Sequence, residues 1–164
     1  MAQPYLPETP ADLPTPEQMA QLKGIDIMRG ILAGRFPGAP IAKLANMMIE
    51  EVAEGRVVFS ATPKFEHYNP MGSVHGGWFG VLLDSAMGCA VMTMLPRGKG
   101  YATLEYKVNI LRAAYEGTPK LLCTGTTVHV GRRTATAEAR LEDSDGKLYA
   151  TGTTTCFVMD LAPT

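Results

Sequence analysis

The stretch that decides the fold is residues 76–96, which read GGWFGVLLDSAMGCAVMTMLP. It is apolar along nearly all of its length, and Asp84 carries its only formal charge. An ionised carboxylate that leaves water is costly unless it is paired or hydrogen-bonded. A helix that is apolar on all sides is typical of the buried centre of a soluble fold. We therefore predict a long central helix with a functional acid near its middle.

The same run is long enough to span a bilayer, but its composition argues against a membrane role. It contains four glycines and an acid in mid-segment, and no basic cluster flanks one end. The N-terminus also lacks the basic head and apolar core of a secretory signal. We predict a cytoplasmic protein without a membrane partner.

Composition indicates one globular domain without a metal or a redox cofactor. The chain has 164 residues, of which 46% are hydrophobic and 19% charged, and its formal net charge of -1 does not favour nucleic acid. Cys89, Cys123 and Cys156 are an odd number without metal-ligand spacing, which predicts buried free thiols. His67 and His129 have no acidic or thiol neighbours at such spacing, so no metal site is expected.

The pattern of elements predicts an α+β fold with a largely antiparallel sheet. A Pro-rich arm over residues 1–16 precedes a helix that starts at Thr15-Pro16-Glu17 and ends near Gly34, and we expect a further helical turn over 40–45. Strand-like stretches follow at 47–49 and 56–61 before the central helix, and at 101–111, 120–130, 134–142 and 147–159 after it. We divide the chain into an N-terminal arm and helix, 1–45, and a main domain, 46–164.

The simplest way to bury the central helix is one curved sheet wrapped around it. A plain α+β domain, with the helix on one sheet face, is the alternative. In the stretch 101–111 the residues alternate, which places Leu104 and Tyr106 on one face and Thr103 and Glu105 on the other.

The chain resembles the hotdog-fold acyl-CoA thioesterases, specifically the PaaI-like (phenylacetate-degradation) group. The resemblance rests on Asn69, on His75-Gly76-Gly77, on Asp84 and on the segment 102–112, and it covers most of residues 55–160. It implies the curved sheet, hydrolysis of an acyl-CoA, and a homodimer that often forms a dimer of dimers. It also implies that Asn69 and His75 orient the thioester and the glycine loop. Thr103 falls where the family has a Ser or Thr that holds the attacking water.

The start of the central helix is suited to a developing negative charge. If the helix begins near Gly76, its first N–H groups have no partners in the helix, and the dipole there favours an anion. Glycine at 76 and 77 allows a ligand to approach the backbone. Asp84 is then the general base that activates water, or a nucleophile, and the sequence leaves both roles open.

Helix geometry predicts that these two groups act across subunits. Asp84 lies eight residues beyond Gly76, or about 12 Å along one helix. That separation is too large for both to touch one thioester. We therefore predict an obligate dimer in which Gly76 of one copy faces Asp84 of the other.

A strand-to-strand turn supplies the candidate contacts for coenzyme A. His129, Gly131, Arg132 and Arg133 match the family's CoA-contacting region, and the arginines can bind phosphate. Two solvated arginines at a turn are an equally good interpretation. Coenzyme A would enter as part of the substrate, and no other cofactor is expected.

Two other functions, and a serine-type mechanism of thioester hydrolysis, fit the sequence less well. Hotdog hydratases pair a catalytic His with an acid at spacings that this chain lacks. An acyl-CoA-binding or sensing protein that regulates transcription needs an output element, and residues 1–50 contain no basic DNA-reading helix. Ser85 lacks the Gly-x-Ser-x-Gly elbow of serine-type thioesterases.

Overall fold

The structure is a computed structural model, and it describes residues 5–161. Three short helices come first, followed by a hairpin, the long helix and four strands. The helices are α1 (Pro16–Ala20), α2 (Gly24–Leu32), α3 (Ile41–Leu44) and α4 (Gly76–Thr93). The strands are β1 (Met47–Ala53), β2 (Arg56–Ala61), β3 (Lys99–Ile110), β4 (Leu121–Val130), β5 (Thr134–Glu142) and β6 (Leu148–Asp160).

The six strands form one sheet that curves around α4. The order across the sheet is β1-β2-β4-β5-β6-β3, and every neighbouring pair is antiparallel. Helix α4 contacts all six strands. This arrangement is the hotdog fold, and the predicted fold class is confirmed. Strands β1 and β3 are left at the two edges.

The core is built around α4, as its composition predicts. Leu82, Leu83, Ala86, Met87 and Val91 are each 0% exposed. Removing a side chain of the size of leucine from water contributes about 1.5–3 kcal/mol, so this face of α4 is a major source of stability. Across residues 5–161, no helix has both the length and the hydropathy needed to cross a bilayer.

The predicted single N-terminal helix is wrong, because the chain breaks between α1 and α2. The Gly24 N–H does not donate to a carbonyl of the preceding helical turn. It donates instead to the carbonyl oxygen of Leu95, a residue just after the end of α4, at 3.0 Å. A Cβ at this position would lie 1.7 Å from Met92 O, so only glycine allows the contact. Long-range packing against α4 therefore sets this helix boundary, and local propensity does not.

The described part of the predicted loose arm has definite contacts. Pro10–Asp12 form one 3-10 turn, in which the Asp12 carboxylate accepts from the Thr9 N–H at 2.8 Å. The Gly38 N–H donates to Tyr5 O at 2.8 Å. Residues 1–4 of the arm lie outside the described residues. The division at residue 45 stays a prediction, although Ile27 and Met28 of α2 belong to the same core as α4.

Candidate active site

The N-terminus of α4 leaves one backbone donor available. His75 is the N-cap residue, and its Nδ1 accepts from the Gly77 N–H at 2.9 Å. The Trp78 N–H donates to His75 O at 3.0 Å. Within residues 5–161 no acceptor is recorded for the exposed Gly76 N–H. The cap thus leaves Gly76 as the free donor at the positive end of the helix dipole.

Asn69 organises the loop that leads into this cap. Its Oδ1 accepts from the N–H groups of Met71, at 2.8 Å, and Ser73, at 3.4 Å, and its Nδ2 donates to Ser73 Oγ at 3.1 Å. The His75 N–H in turn donates to His67 O at 2.8 Å. In this structure Asn69 therefore shapes the loop before Gly76.

His67 connects the loop before the N-cap of α4 to the end of α3 and to Trp78, a role that the sequence did not indicate. Its Nδ1 accepts from the Lys64 N–H at 3.0 Å, so Nε2 carries the proton and donates to Leu44 O at 3.0 Å. The ring stacks on Trp78 with centroids 5.5 Å apart, and Trp78 Nε1–H donates to Ala45 O at 2.9 Å. These contacts tie the chain after α3 to the first turn of α4. The sequence carried no signal for them because the partners are backbone carbonyls.

One stripe of four residues on α4 faces β3. Three of the four are glycines, and the fourth is Asp84. Residues four apart lie on one helix face, and here these are Gly76, Gly80, Asp84 and Gly88. A Cβ on each glycine would lie 3.3, 3.2 and 2.4 Å from Ile110, Tyr106 and Tyr101, respectively. The glycines let β3 approach α4 closely, so the carboxylate meets the strand directly.

A β-bulge aims Thr103 at this carboxylate. The register with β6 shifts between Thr103 and Glu105, which leaves Leu104 as the extra residue. Tyr101 and Thr103 face α4 before the bulge, and Tyr106 and Ile110 face it afterwards. The predicted alternation, with Thr103 and Tyr106 on opposite faces, is therefore wrong.

Asp84 is held by a charge-assisted hydrogen bond in a half-buried position. Thr103 Oγ1 donates to Asp84 Oδ1 at 2.9 Å, and no other protein donor to this carboxylate is recorded within residues 5–161. The second oxygen is thus available to a water or to a substrate. Thr103 positions the acid through direct contact.

The groups around Asp84 are uncharged at neutral pH. Burial raises the pKa of the Cys89 thiol to about 12, and the charge of Asp84 adds to this effect. Burial likewise raises the pKa of Tyr101 and of Cys156, again with a contribution from Asp84. None of these three groups offers Asp84 a counter-charge, which leaves its carboxylate in an apolar setting.

The arginine turn lies at the same level of the sheet as Thr103. Gly131 N–H donates to Thr134 O at 2.8 Å, which closes the turn between β4 and β5. Thr134 pairs with Phe157, and Phe157 pairs with Ala102 beside Thr103. Two strand spacings are about 10 Å, so the turn is close enough to hold the distal part of a ligand whose reactive end is at Asp84.

The two arginines of this turn differ in their surroundings. The Arg133 guanidinium lies 5.8 Å from the Phe157 ring centroid, whereas no such stacking is recorded for Arg132. Both are exposed, and neither forms an ion pair within residues 5–161. His129 is also exposed, and a Cβ on Gly131 would lie 3.2 Å from its Nε2.

The structure therefore groups the predicted site residues into two sets within one chain. Asp84 and Thr103 are in contact, with His129, Gly131, Arg132 and Arg133 at the same end of the sheet. Asn69, His75, Gly76 and Gly77 form the other set at the start of α4. In the described part of the chain, no cluster of three His, Cys, Asp or Glu residues could hold a metal ion.

Comparisons with known proteins place this site in a family. Residues 71–150 match the family model described as the thioesterase superfamily. A curated protein of Archaeoglobus fulgidus, named as an esterase, is 32% identical over 124 residues, which are 74% of this chain and 78% of that protein.

Two solved structures share the fold and part of the sequence. A phenylacetic acid degradation-related protein of Ralstonia eutropha JMP134 has a TM-score of 0.71 and 29% identity, over 79% of this chain and 98% of that one. A thioesterase protein of Streptococcus pneumoniae TIGR4, solved with coenzyme A, has a TM-score of 0.64 and 29% identity, over 70% of this chain and 90% of that one. The chain belongs to the thioesterase superfamily as a hotdog-fold thioester hydrolase, and its structural neighbours include proteins of the PaaI-like group.

Proposed function

We propose that this protein hydrolyses an acyl-CoA to the free carboxylic acid and coenzyme A. The observation that carries the proposal is the half-buried Asp84 carboxylate, held by Thr103 and lining an apolar cavity. The coenzyme A in the related streptococcal structure supports an acyl-CoA as the substrate. Arg132 and Arg133 are the candidate partners of its phosphates.

The reaction needs an acid–base group and a donor to the thioester oxygen. As general base, Asp84 takes a proton from water, whose oxygen attacks the thioester carbon. As nucleophile, the carboxylate attacks the carbon itself and water then hydrolyses the anhydride. In either route the carbonyl oxygen becomes negative and then returns to a carbonyl as the C–S bond breaks. The sulfur leaves as a thiolate, which takes up a proton supplied by the water that is consumed and becomes the CoA thiol. The Gly76 N–H of a second copy stabilises the oxygen.

The exposed edge of the sheet supports the dimer that this mechanism requires. Strand β3 is an edge strand of twelve residues. Its side chains Leu104, Tyr106 and Ile110 are 61%, 47% and 46% exposed, which is unusual for large apolar groups along an unpaired edge. We propose that two copies pair antiparallel along β3, so that their α4 helices lie side by side.

The stripe on α4 defines where the two-fold axis must pass. Gly80 is halfway between Gly76 and Asp84, and a Cβ on it would lie 3.2 Å from the hydroxyl of Tyr106 in β3. An axis at the level of Gly80 and Tyr106 therefore places each Asp84 opposite the partner copy's Gly76. Assembly into a dimer of dimers and a cytoplasmic location remain predictions.

Release of the CoA thiol from a panel of acyl-CoAs tests the proposal. We expect wild-type turnover, and a loss of about a hundredfold or more in Asp84→Asn, because general base catalysis typically contributes that much. The matched control is Asp145→Asn, which alters an exposed turn and should keep full activity. Binding of acyl-CoA without turnover would instead favour a binding protein, and full activity in Asp84→Asn would remove Asp84 from the mechanism.

A further inference from the structure

The N-terminal segment closes a cavity that begins at Asp84. The cavity has a volume of about 210 Å³. Asp84, Ser85 and Cys89 of α4 line one side of it. The side chains of strands β1 and β2 and of Tyr101 line another side, and the remaining wall comes from the N-terminal segment, through Leu6, Met28, Ile31, Gly38, Ala39 and Ala42.

This wall is held in place by contacts independent of any ligand. Gly38 N–H binds Tyr5 O at 2.8 Å, and Gly24 N–H binds Leu95 O at 3.0 Å. His67 and Trp78 hold the two carbonyls at the end of α3, as described above. The cavity is therefore preformed, and its wall cannot recede freely from a larger ligand.

We propose that residues 6–42 form the outer wall of the acyl pocket and limit the substrates to acyl-CoAs with a compact apolar acyl group. This inference rests on the proposed hydrolysis of acyl-CoA. All residues of the wall lie outside residues 71–150, which match the family model. Acyl selectivity in this protein is thus set by a segment that the family pattern does not include.

The lining determines the chemistry of the acyl group. Among the lining residues that the structure describes, Asp84 is the only charged one and Ser85 is one of the few polar ones. Both are at the end where the thioester would react. An apolar cavity of about 150 Å³ accommodates benzene. The present cavity of about 210 Å³ therefore suits a single ring with a short linker, or a short or branched aliphatic chain. A palmitoyl group is too long for it.

Two positions on the wall allow the size of the cavity to be changed in opposite directions. A Cβ on Gly38 would lie 3.4 Å from Leu6, 3.8 Å from Tyr5 O and 3.9 Å from Ile31, all of them ordinary contacts, and we expect the larger Gly38→Val to narrow the cavity. Ile31→Ala removes three carbons from the same wall. Leu13→Ala is the matched control, because Leu13 belongs to the N-terminal segment, is 42% exposed and does not line the cavity.

The test is kcat/KM of the full chain for acetyl-, hexanoyl-, benzoyl-, decanoyl- and palmitoyl-CoA. For wild type we expect hexanoyl- and benzoyl-CoA to be the best substrates, with about a fourfold gain per buried methylene up to the limit of the cavity. Gly38→Val should lower these two values by about tenfold while acetyl-CoA changes little. Ile31→Ala should raise the relative rate for decanoyl-CoA, and Leu13→Ala should keep the wild-type profile.

The outcomes separate this inference from the function on which it rests. If wild type hydrolyses none of the substrates, the proposed function fails and the inference fails with it. If wild type is active but folded Ile31→Ala and Gly38→Val keep its acyl-size profile, only the assignment of the wall is overturned. Thermal unfolding shows whether each variant is folded, and the opposite direction of the two shifts distinguishes pocket size from general damage.

Discussion

Replacing Gly76 by proline removes the N–H from the proposed site and puts the ring Cδ in the place of its hydrogen. Proline has no N–H, and the first helical position is where a helix tolerates it best. The preceding residue must be extended, and His75 already has φ -64° and ψ 139°. The loss of one oxyanion donor typically lowers kcat by about a hundred- to a thousandfold. We expect this loss in Gly76→Pro, with a folded protein and an intact Asp84.

Gly76→Ala separates the donor from the added bulk. It keeps the N–H and places a Cβ 3.3 Å from Ile110 Cδ1, a contact that the Cβ of proline also makes. We expect Gly76→Ala to retain most of the activity, since the end of an isoleucine side chain can move by a few tenths of an ångström. A proline variant as active as the alanine variant would show that this N–H does not stabilise the reaction.

Hybrid dimers test whether the site is shared between subunits. Gly76→Pro and Asp84→Asn chains with different affinity tags are coexpressed, and the hybrids are purified over both tags. Each hybrid has one site with both groups intact and one with neither, so about half of the wild-type activity should return. Each parent dimer has two damaged sites and stays inactive. Hybrids as inactive as the parents would refute the composite site, because each chain would then carry both groups of its own site.

Two further predictions concern single contacts. Thr103→Val removes the hydrogen bond to Asp84 at nearly constant side-chain volume. It should lower kcat about ten- to a hundredfold, since hydrogen bonds to charged groups contribute about 1.5–3 kcal/mol. Thr103→Ser is the control and should retain most activity, whereas a fully active valine variant would contradict the positioning role of Thr103. Gly24→Ala forces a Cβ to within 1.7 Å of Met92 O and should lower the free energy of unfolding, measured in urea, by about 1–3 kcal/mol. The control is Gly38→Ala, whose added Cβ has its nearest contact at 3.4 Å. Equal stability of the two variants would contradict the argument that close packing requires glycine at position 24.

The elements of this fold could be predicted because their signals are local. The strand 134–142 and the helix start at Gly76 follow from alternation, turn residues and glycine, and the structure has both. The break at Gly24 could not be predicted, because its cause is the backbone of residues 92–95, about 70 positions away. The start and stop signals at residues 15–17 and 34 favoured one continuous helix, and close packing at Gly24 divides it.

Of the candidate site, too, the sequence indicated some residues and not others. Asp84 stands out in the sequence because a charge in an apolar run is costly. No residue pattern in the sequence indicated the bulge at Leu104, yet this bulge determines which residues of β3 face Asp84. His67 and the cavity wall were also missed, since they depend on backbone carbonyls and on the return of the N-terminal segment to α4.

The glycine stripe explains why one helix can serve both halves of the proposed site. Side chains at 80 and 88 would crowd Tyr106 and Tyr101 of β3, and a β3 pushed away from α4 would place Thr103 too far from Asp84 to orient it. The same absence of side chains leaves the Gly76 N–H open, while His75 Nδ1 occupies the neighbouring donor. Because the acid and the free donor are two helical turns apart, a second copy turned about the level of Gly80 is the arrangement that brings them together. One four-residue spacing in the sequence therefore accounts for the close strand packing, the open helix terminus and the proposed pairing of two copies.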